Sequence, residues 1–279
     1  MSTQLDFDVF VTDPIPQHTT DVDPNGNRLM WSPLSSTLIY GDRDGILVDP
    51  PFTRDQAEPV ANWLLASQKN LTHIFITHGH GDHWFTAGLL ADRFHARIVA
   101  TPGTIEQMHI NVAIREAVWD RLFPAQIPET IVTAAPPENN LIDLEGHPLH
   151  VVEVGHTDCD ATSVLHVPDL DLVVAGDAVY NGVHQYLAES RDGGRDKWRA
   201  AIDIVESLGP GRIVAGHKNK DLDNHATRLI AETRHYLDSA DEFLQQHPTP
   251  VGFFSAMVER FPDRLNPGLA WMNAAALCQ

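Results

Sequence analysis

The sequence predicts a layered α/β protein, because apolar runs of strand length alternate with segments of helical periodicity in two parts of the chain. Strands and helices cluster in roughly residues 1–100 and again in 141–220, so each part provides an apolar sheet that needs a helical cover. With 279 residues, 43% of them hydrophobic, the chain is long enough to bury a full core. No change of composition marks a boundary, so we expect a single domain over residues 1–279.

The first part of the chain follows this pattern element by element. Thr53 can cap a helix whose apolar residues keep helical spacing from Ala57 to Leu65. The run Ile74-Phe75-Ile76 is typical of a buried strand. In chain order we predict a strand at 5–11, a loop at 14–33, strands at 36–40 and 45–49, the helix after Thr53, a strand at 71–77, a helix at 85–94 and a strand at 96–100.

The second part repeats the alternation after an insert of about 101–140, in which Pro102 can open a helix and four further prolines follow. The turn at 168–171 suits a hairpin between two of the later strands. We predict strands at 141–144, 149–154, 163–167, 172–175 and 212–215, a helix around 198–208, a longer helix from about 223, and one or two short helices in a C-terminal tail of about 247–279.

Charge and cysteine content narrow the range of functions. The formal net charge is −19 and no basic cluster offsets it, so nucleic acid is an unsuitable partner. No run approaches the roughly 20 apolar residues of a membrane helix, and residues 1–8 lack the features of a signal peptide. The two cysteines, Cys159 and Cys278, predict no disulfide framework. We expect a cytoplasmic protein that acts on a small molecule without contacting a membrane, and a homodimer is compatible with these features.

A cluster of metal-ligating side chains directly follows the strand at 71–77. Glycines separate its members and free the backbone between them. Imidazole and carboxylate are the usual protein ligands of zinc-like ions, so a metal site is a better interpretation than a solvated loop. The cluster consists of His78, His80, Asp82 and His83.

Three further candidates each follow an apolar strand and a glycine. They are His156 in Val-Gly-His, Asp177 in Ala-Gly-Asp and His217 in Ala-Gly-His. One histidine at the end of a strand would more often be structural, but active sites of α/β proteins favour the carboxyl ends of strands. Because the same strand–glycine–ligand unit recurs, we expect these side chains to meet the histidine cluster.

This order of motifs, HxHxDH followed by Gly-His, Gly-Asp and Gly-His, resembles the metallo-β-lactamase-fold hydrolases over about residues 36–220. The resemblance implies a four-layer αββα sandwich, here with extra C-terminal helices, and two divalent metal ions, most typically Zn²⁺ with Fe or Mn as alternatives. It also implies an orienting role for Asp49 beneath the cluster. In that family pattern the first metal would be bound by His78, His80 and His156, the second by Asp82, His83 and His217, and Asp177 would bridge both.

The resemblance further implies a hydrolase that uses a metal-bridging hydroxide, since two such ions, two aspartates and a hydroxide leave a net charge of about +1. Asp82, Asp177 and Tyr180 are then the catalytic candidates. The Asp-x-x-Tyr spacing is similar to that of lactonases of this superfamily, although a tyrosine packed under the site is the alternative. We therefore expect a lactonase-like enzyme that opens a small neutral or apolar cyclic ester or amide.

Other functions and contacts remain open at this stage. Asp158-Cys159 replaces the Pro-Gly of glyoxalase II-type thioesterases, and Asp177 argues against a β-lactamase-like amide hydrolase. An iron-dependent sulfur dioxygenase and a non-catalytic scaffold are the remaining alternatives. His184 and His109 are candidates for substrate contact. The insert at 101–140 could be either a helical layer of the core or an apolar wall over the metal cluster.

Overall fold

The computed structural model describes residues 4–278 and contains two five-stranded sheets. The strands are β1 (Asp6–Val11), β2 (Ile15–Pro16), β3 (Met30–Trp31), β4 (Ser35–Tyr40), β5 (Asp44–Val48), β6 (Asn70–Phe75), β7 (Arg97–Val99), β8 (Leu141–Leu144), β9 (His147–Gly155), β10 (Thr162–Val167), β11 (Leu172–Gly176) and β12 (Arg212–Ala215). The helices are α1 (Arg54–Ser67), α2 (Ala87–Phe94), α3 (Pro102–Ala113), α4 (Trp119–Leu122), α5 (Gly194–Ser207), α6 (Ala226–Gln246), α7 (Pro250–Arg260) and α8 (Pro267–Leu277).

Both sheets are mixed, with parallel and antiparallel pairs, but their topologies differ. The first has the strand order β1-β4-β5-β6-β7, in which β5, β6 and β7 are parallel. The second has the order β12-β11-β10-β9-β8, in which only β11 and β12 pair in parallel. A backbone hydrogen bond connects the two sheets, from the N–H of Ser35 to the carbonyl of Gly216 at 2.7 Å. This hydrogen bond links the start of β4 to the residue that follows β12.

Alternate side chains of each sheet face opposite layers of the core. In β5, Ile46 and Val48 face the core between the sheets, whereas Leu47 packs with the residues of α1 and α2. In β11, Val174 faces the inter-sheet core and Val173 packs with α5 and α6. The layers are therefore helix, sheet, sheet and helix, which confirms the αββα sandwich.

Local signals account for most element boundaries. Thr53 caps α1 as expected, with its hydroxyl accepting from the N–H of Gln56 at 3.3 Å. The turn after β10 forms a single 3₁₀ turn, and β10 and β11 pair as an antiparallel hairpin. The expected loop at 14–33 also contains the short pair β2–β3, which the turn-rich composition obscured.

The C-terminal helices return to the N-terminal segment. Helix α7 packs on α8 through the rings of Phe254 and Trp271, whose centroids are 6.0 Å apart. The side-chain amide of Asn266, which precedes α8, donates to the carbonyl of Met30 at 3.3 Å. This contact places α8 beside β3, and both elements border the site described below. Among residues 4–278 no helix is both long and apolar enough to cross a membrane.

Glu145 links the two sheets at the end remote from that site. Its carboxylate accepts three backbone N–H groups, at 3.1 Å from Asp42, 2.7 Å from Arg43 and 2.7 Å from Asp44, in the turn between β4 and β5. We expect Glu145→Ala to lower the free energy of unfolding by about 1–2 kcal/mol, because three donors lose an ionised acceptor. Glu153→Ala, which removes an exposed carboxylate from β9, should have almost no effect. Denaturant unfolding measures both variants, and equal losses would contradict the prediction.

Candidate metal centre

The candidate ligands lie in loops at the carboxyl ends of strands from both sheets. His78 to His83 follow β6, in a segment that ends in a short 3₁₀ turn at Gly81–His83. Asp177 directly follows β11, and His217 follows β12 by two residues. Because these strands end at the same edge of the sandwich, the loops that were predicted separately converge there.

Two of the glycines that precede ligands have no room for a side chain, because neighbouring loops pack closely against their backbone. A Cβ on Gly176 would lie 2.2 Å from the hydroxyl of Thr77, and the φ of Gly176 is +49°. A Cβ on Gly216 would lie 2.3 Å from Oδ1 of Asp177 and 2.7 Å from the ring of His83. The strand–glycine–ligand units therefore exist because the two sheets bring their loops into direct contact.

One group of ligand atoms, here called the His83 group, consists of Asp82, His83 and His217, whose atoms lie within 4.8 Å of one another. Nε2 of His217 is 3.4 Å from Oδ2 of Asp82. Asp177 contacts both imidazoles of the group, with Oδ1 3.4 Å from Nε2 of His83 and Oδ2 3.3 Å from Nε2 of His217. The predicted second ligand set thus comes together with Asp177 beside it.

A second group, here called the His78 group, consists of His78, His80, Asp158 and Cys159, again within 4.8 Å. Oδ2 of Asp158 is 2.8 Å from Nδ1 of His80 and 3.7 Å from Nε2 of His78. The structure does not bring His156 into this group or into the lining of the cavity above it. Sequence reasoning noted Asp158 only as a departure from a neighbouring motif and did not include it among the ligands.

Asp49 fixes the orientation of two imidazoles from beneath. Its carboxylate accepts the N–H of Thr77 at 2.9 Å and the hydroxyl of Thr77 at 2.6 Å. That hydroxyl has donated its proton, so it can accept from Nδ1 of His78 at 3.0 Å. Oδ2 of Asp49 also lies 3.3 Å from Nδ1 of His83. Both rings therefore direct Nε2 toward the other candidate ligands, which is the arrangement that buried partners give to metal-ligating histidines.

His217 and Asp82 are oriented by the segment that contains β3. Nδ1 of His217 lies 3.0 Å from the carbonyl oxygen of Pro33, so it can donate there and leave Nε2 unprotonated. The indole N–H of Trp31 donates to Oδ2 of Asp82 at 2.9 Å. Trp31 was not identified from the sequence, and the only local signal was its position beside the Pro33 turn.

The donor chemistry of the site fits divalent metal ions. Four carboxylates are buried there, with exposed fractions of 2% for Asp49, 3% for Asp82, 0% for Asp158 and 1% for Asp177. Buried charges of one sign need cations or metal ions as partners. Among the described residues, several buried atoms facing this space make no hydrogen bond: Nε2 of His78, Nε2 of His83, Oδ2 of Asp158 and Oδ1 of Asp177.

Protons on His80, His83 and His217, whose pKa values are raised, compensate part of this negative charge. Burial lowers the pKa of His83, but Asp177, Asp82 and Asp49 overcome this effect and raise it to about 10. Burial alone would raise the pKa of Asp82. The charges of His83 and His217 have the larger, opposite effect and hold this pKa well below its ordinary range. A cation placed among these atoms would take over the role of the protons.

A cavity of about 220 Å³ opens above both groups. Its floor contains His80, Asp82, Asp158, Asp177 and His217. The walls are mainly apolar and come from three distant parts of the chain: Gln17, Met30, Trp31 and Ser32 near the N-terminus, Asn111, Ile114, Val118, Trp119 and Leu122 in the insert, and Asn266, Leu269 and Met272 around α8, with Tyr186 and Glu189 at the side.

The insert at 101–140 serves both roles considered from the sequence. Trp119 and Phe123 are buried and pack edge-on against Trp31 at 5.3 Å and 5.4 Å between centroids. Trp119 also lines the cavity, together with exposed apolar residues such as Ile114. The segment is therefore a core layer on one side and a wall of the cavity on the other.

The catalytic candidate Tyr180 and the contact candidates His184 and His109 do not form part of the cavity floor. Tyr180 is fully buried, donates its hydroxyl to Oδ2 of Asp177 at 2.5 Å and stacks on the ring of His217. His184 is buried with Nδ1 2.9 Å from the hydroxyl of Tyr236, and His109 is exposed on α3. None of the three lines the cavity among the described residues.

Comparisons with known proteins agree with this geometry. A family model described as the metallo-beta-lactamase superfamily matches residues 29–217. A metallo-beta-lactamase family protein from Thermus thermophilus is 19% identical with a TM-score of 0.61, covering 96% of this chain and 91% of that chain. A beta-lactamase domain protein from Burkholderia ambifaria is 16% identical with a TM-score of 0.61, covering 93% and 84%. The metallo-beta-lactamase FIM-1 from Pseudomonas aeruginosa in its mono-zinc form is 14% identical with a TM-score of 0.58, covering 85% and 96%. No curated protein matches the sequence.

Tyr180 and Tyr186 should differ in their effect on metal affinity. Tyr180→Phe removes the hydroxyl that holds Asp177, so we expect the affinity for metal to fall by about 10–100-fold. Tyr186→Phe changes a cavity wall and should leave metal affinity unchanged. Titration with a metal-sensitive dye under competition measures both variants. Unchanged affinity in Tyr180→Phe would mean that its hydroxyl does not position the carboxylate.

His184 should make the stability of the fold depend on pH. Burial, followed by the charge of Arg264, lowers its pKa to about 3, so the unfolded chain binds a proton below pH 6.5 that the folded chain does not. Stability should therefore fall as pH decreases from 6.5 toward 3, with a slope of up to about 1.4 kcal/mol per pH unit from this group.

The test compares unfolding of the wild type, His184→Gln and His109→Gln across this pH range in chelator, so that metal release does not contribute. His184→Gln should have a shallower pH dependence than the wild type, and His109→Gln, which replaces an exposed histidine on α3, is the matched control. Parallel curves for all three proteins would disprove the assignment.

Proposed function

Because the chain belongs to the metallo-beta-lactamase superfamily, a superfamily of hydrolases, we propose that it is a dinuclear-metal hydrolase that opens a small, neutral cyclic ester or amide. One observation carries the proposal: the buried carboxylate of Asp177, whose Oδ1 makes no hydrogen bond, lies with His80, Asp82, Asp158 and His217 on the floor of an apolar cavity. The His83 group and the His78 group would each hold one ion, with Asp177 between them, and Zn²⁺ suits such nitrogen and oxygen donors.

Divalent ions bound there would polarise the carbonyl oxygen of the substrate and supply a water of lowered pKa as the nucleophile. The chain itself provides fixed positions for the ligand atoms. Tyr180 holds Oδ2 of Asp177, and Trp31 holds Oδ2 of Asp82, so neither carboxylate has to rearrange when the substrate enters. Such preorganisation favours attack at one defined point on the cavity floor.

Glu189 is suited to move the proton that ring opening requires. Its carboxylate lines the cavity, its side chain is 51% exposed, and Oε1 lies 3.1 Å from Nε2 of His80. In the proposed reaction the water oxygen bonds to the carbonyl carbon, the ring bond to the leaving oxygen or nitrogen breaks, and a water proton is delivered to that leaving atom. Glu189 would carry this proton between the cavity and solvent.

The cavity walls favour a substrate without negative charge. Among the described residues the lining contains no lysine or arginine, and it contains the acidic Glu189. Lys218 follows a ligand in sequence, but its ammonium is buried and donates to the side chain of Asn224 at 2.8 Å. A substrate with a carboxylate, such as a β-lactam antibiotic or a glutathione thioester, would find no cation in these walls. A neutral ring with an apolar substituent would pack against the wall that Trp31 and Trp119 form together.

Metal content and hydrolysis of a substrate panel test this proposal together. We expect the metal-loaded protein to open neutral lactones faster than β-lactams, glutathione thioesters or phosphodiesters. Preference for any of these three anionic classes would overturn the substrate assignment, and stoichiometric iron with oxygen consumption would favour the redox alternative.

Asp177→Asn should lower metal retention and reduce turnover by at least about 100-fold, because it removes the charge between the two groups. The matched control is Asp92→Asn, an exposed carboxylate on α2, which should retain both properties. Full turnover in Asp177→Asn with metal bound would exclude a role for this carboxylate.

A further inference from the structure

The loop after β9 presents a different side chain to the His78 group from the one that the family pattern predicts. Gly155 ends β9 with φ of +90°, a conformation that suits glycine, and His156 then turns toward α5. Nδ1 of His156 pairs with Oδ1 of Asp160 at 2.7 Å. Its Nε2 faces the first residue of α5, since a Cβ on Gly194 would lie 2.8 Å from that atom.

Asp158, and not His156, faces the two imidazoles of the His78 group. The hydroxyl of Thr157 donates to Oδ1 of Asp158 at 2.9 Å, which fixes the carboxylate and leaves Oδ2 available. Oδ2 is fully buried and faces both imidazoles of the group, 3.7 Å from Nε2 of His78 and 2.8 Å from Nδ1 of His80. We propose that Asp158, rather than His156, completes the first metal-ligand set with His78 and His80.

The distances suit this set. Ligand atoms bound tetrahedrally at about 2.1 Å from an ion are roughly 3.4 Å apart. Oδ2 of Asp158 is 3.7 Å from Nε2 of His78 and 2.8 Å from Nδ1 of His80, so both separations are close to that value. Glu189 lies on the opposite ring nitrogen of His80 at 3.1 Å and can keep that ring oriented.

Cys159 is the competing donor in this group. Its sulfur lies within the same 4.8 Å group, but it is directed at the carbonyl oxygen of Asp160 at 3.6 Å and the hydroxyl of Thr162 at 4.0 Å. Oδ2 of Asp158 instead faces the imidazoles of His78 and His80. The carboxylate is therefore the available third ligand, and the thiol is a neighbour of the site.

An aspartate in place of a histidine changes the character of the first set. Two imidazoles and one carboxylate form a harder set than three imidazoles, so it accepts Mn²⁺ or Fe²⁺ more readily relative to Zn²⁺. The additional negative charge also lowers the net charge of the loaded centre by one. This set rests on the proposed dinuclear centre but is independent of the identity of the substrate.

Metal stoichiometry and Co²⁺ spectra of three variants test the assignment. The proteins are loaded with Co²⁺, dialysed and measured by elemental analysis and visible absorption. Asp158→Asn should lose one of the two ions, with binding of that ion weakened at least tenfold, whereas His156→Ala should keep both with unchanged spectra. Cys159→Ser should also keep both, and the wild type should show no intense near-ultraviolet thiolate-to-cobalt band.

The outcomes separate this inference from the proposed function. A wild type that binds fewer than two ions overturns the dinuclear proposal itself. A wild type that binds both, combined with loss of an ion in His156→Ala or full retention in Asp158→Asn, overturns the assignment of Asp158. Circular dichroism in chelator checks that each variant is folded; if Asp158→Asn is not, Asp158→Glu replaces it and should bind the first ion with altered affinity and spectrum.

Discussion

The structure depends on the burial of several carboxylates at one edge of two packed sheets. Asp49, Asp82, Asp158 and Asp177 are almost completely removed from water. Desolvation of like charges in one region is unfavourable unless cations or hydrogen-bond donors compensate it. In the metal-free chain the histidines carry that compensation, as the raised pKa of His83 indicates. The same charge distribution is what a pair of divalent ions requires, so the cost to folding and the capacity to bind metal have one origin.

Much of the remaining structure serves to keep the ligand nitrogens available. Thr77 and Asp49 occupy Nδ1 of two histidines, and the carbonyl of Pro33 occupies Nδ1 of His217. These partners come from β4, β5 and β6 or the loops beside them, so the register of the first sheet determines which ring atom faces the centre. The fold of the sandwich therefore determines which tautomer each of these histidines adopts.

The sequence predicted the layered fold and its strands well. Strands such as β5 and β11 are apolar on both faces, because one face packs against the other sheet and the other face packs against helices. It also predicted that the loop after β6, with Asp82 and His83, and the strand–glycine–His217 unit lie at the same edge, because both follow the carboxyl end of a strand. It could not predict the direction of a side chain within a loop. His156 and Asp158 are two residues apart, and the φ of Gly155 together with the pairing to Asp160 decides which of them faces the His78 group. Likewise, Asp-x-x-Tyr spacing could not distinguish a tyrosine in the cavity from one behind Asp177.

The cavity explains why the metal motif does not identify a substrate. The walls come from the segment around Trp31, the insert with Trp119, and α8 with Leu269, none of which belongs to the motif. These segments are far apart in sequence and lie outside the metal motif, so their side chains can vary independently of it, except for Trp31, whose indole N–H donates to Asp82. The floor is acidic without metal, the lining of the described residues has no lysine or arginine, and the whole chain carries −19. An anionic substrate would therefore depend on the bound ions alone for attraction, whereas a neutral apolar one gains contact with the walls as well.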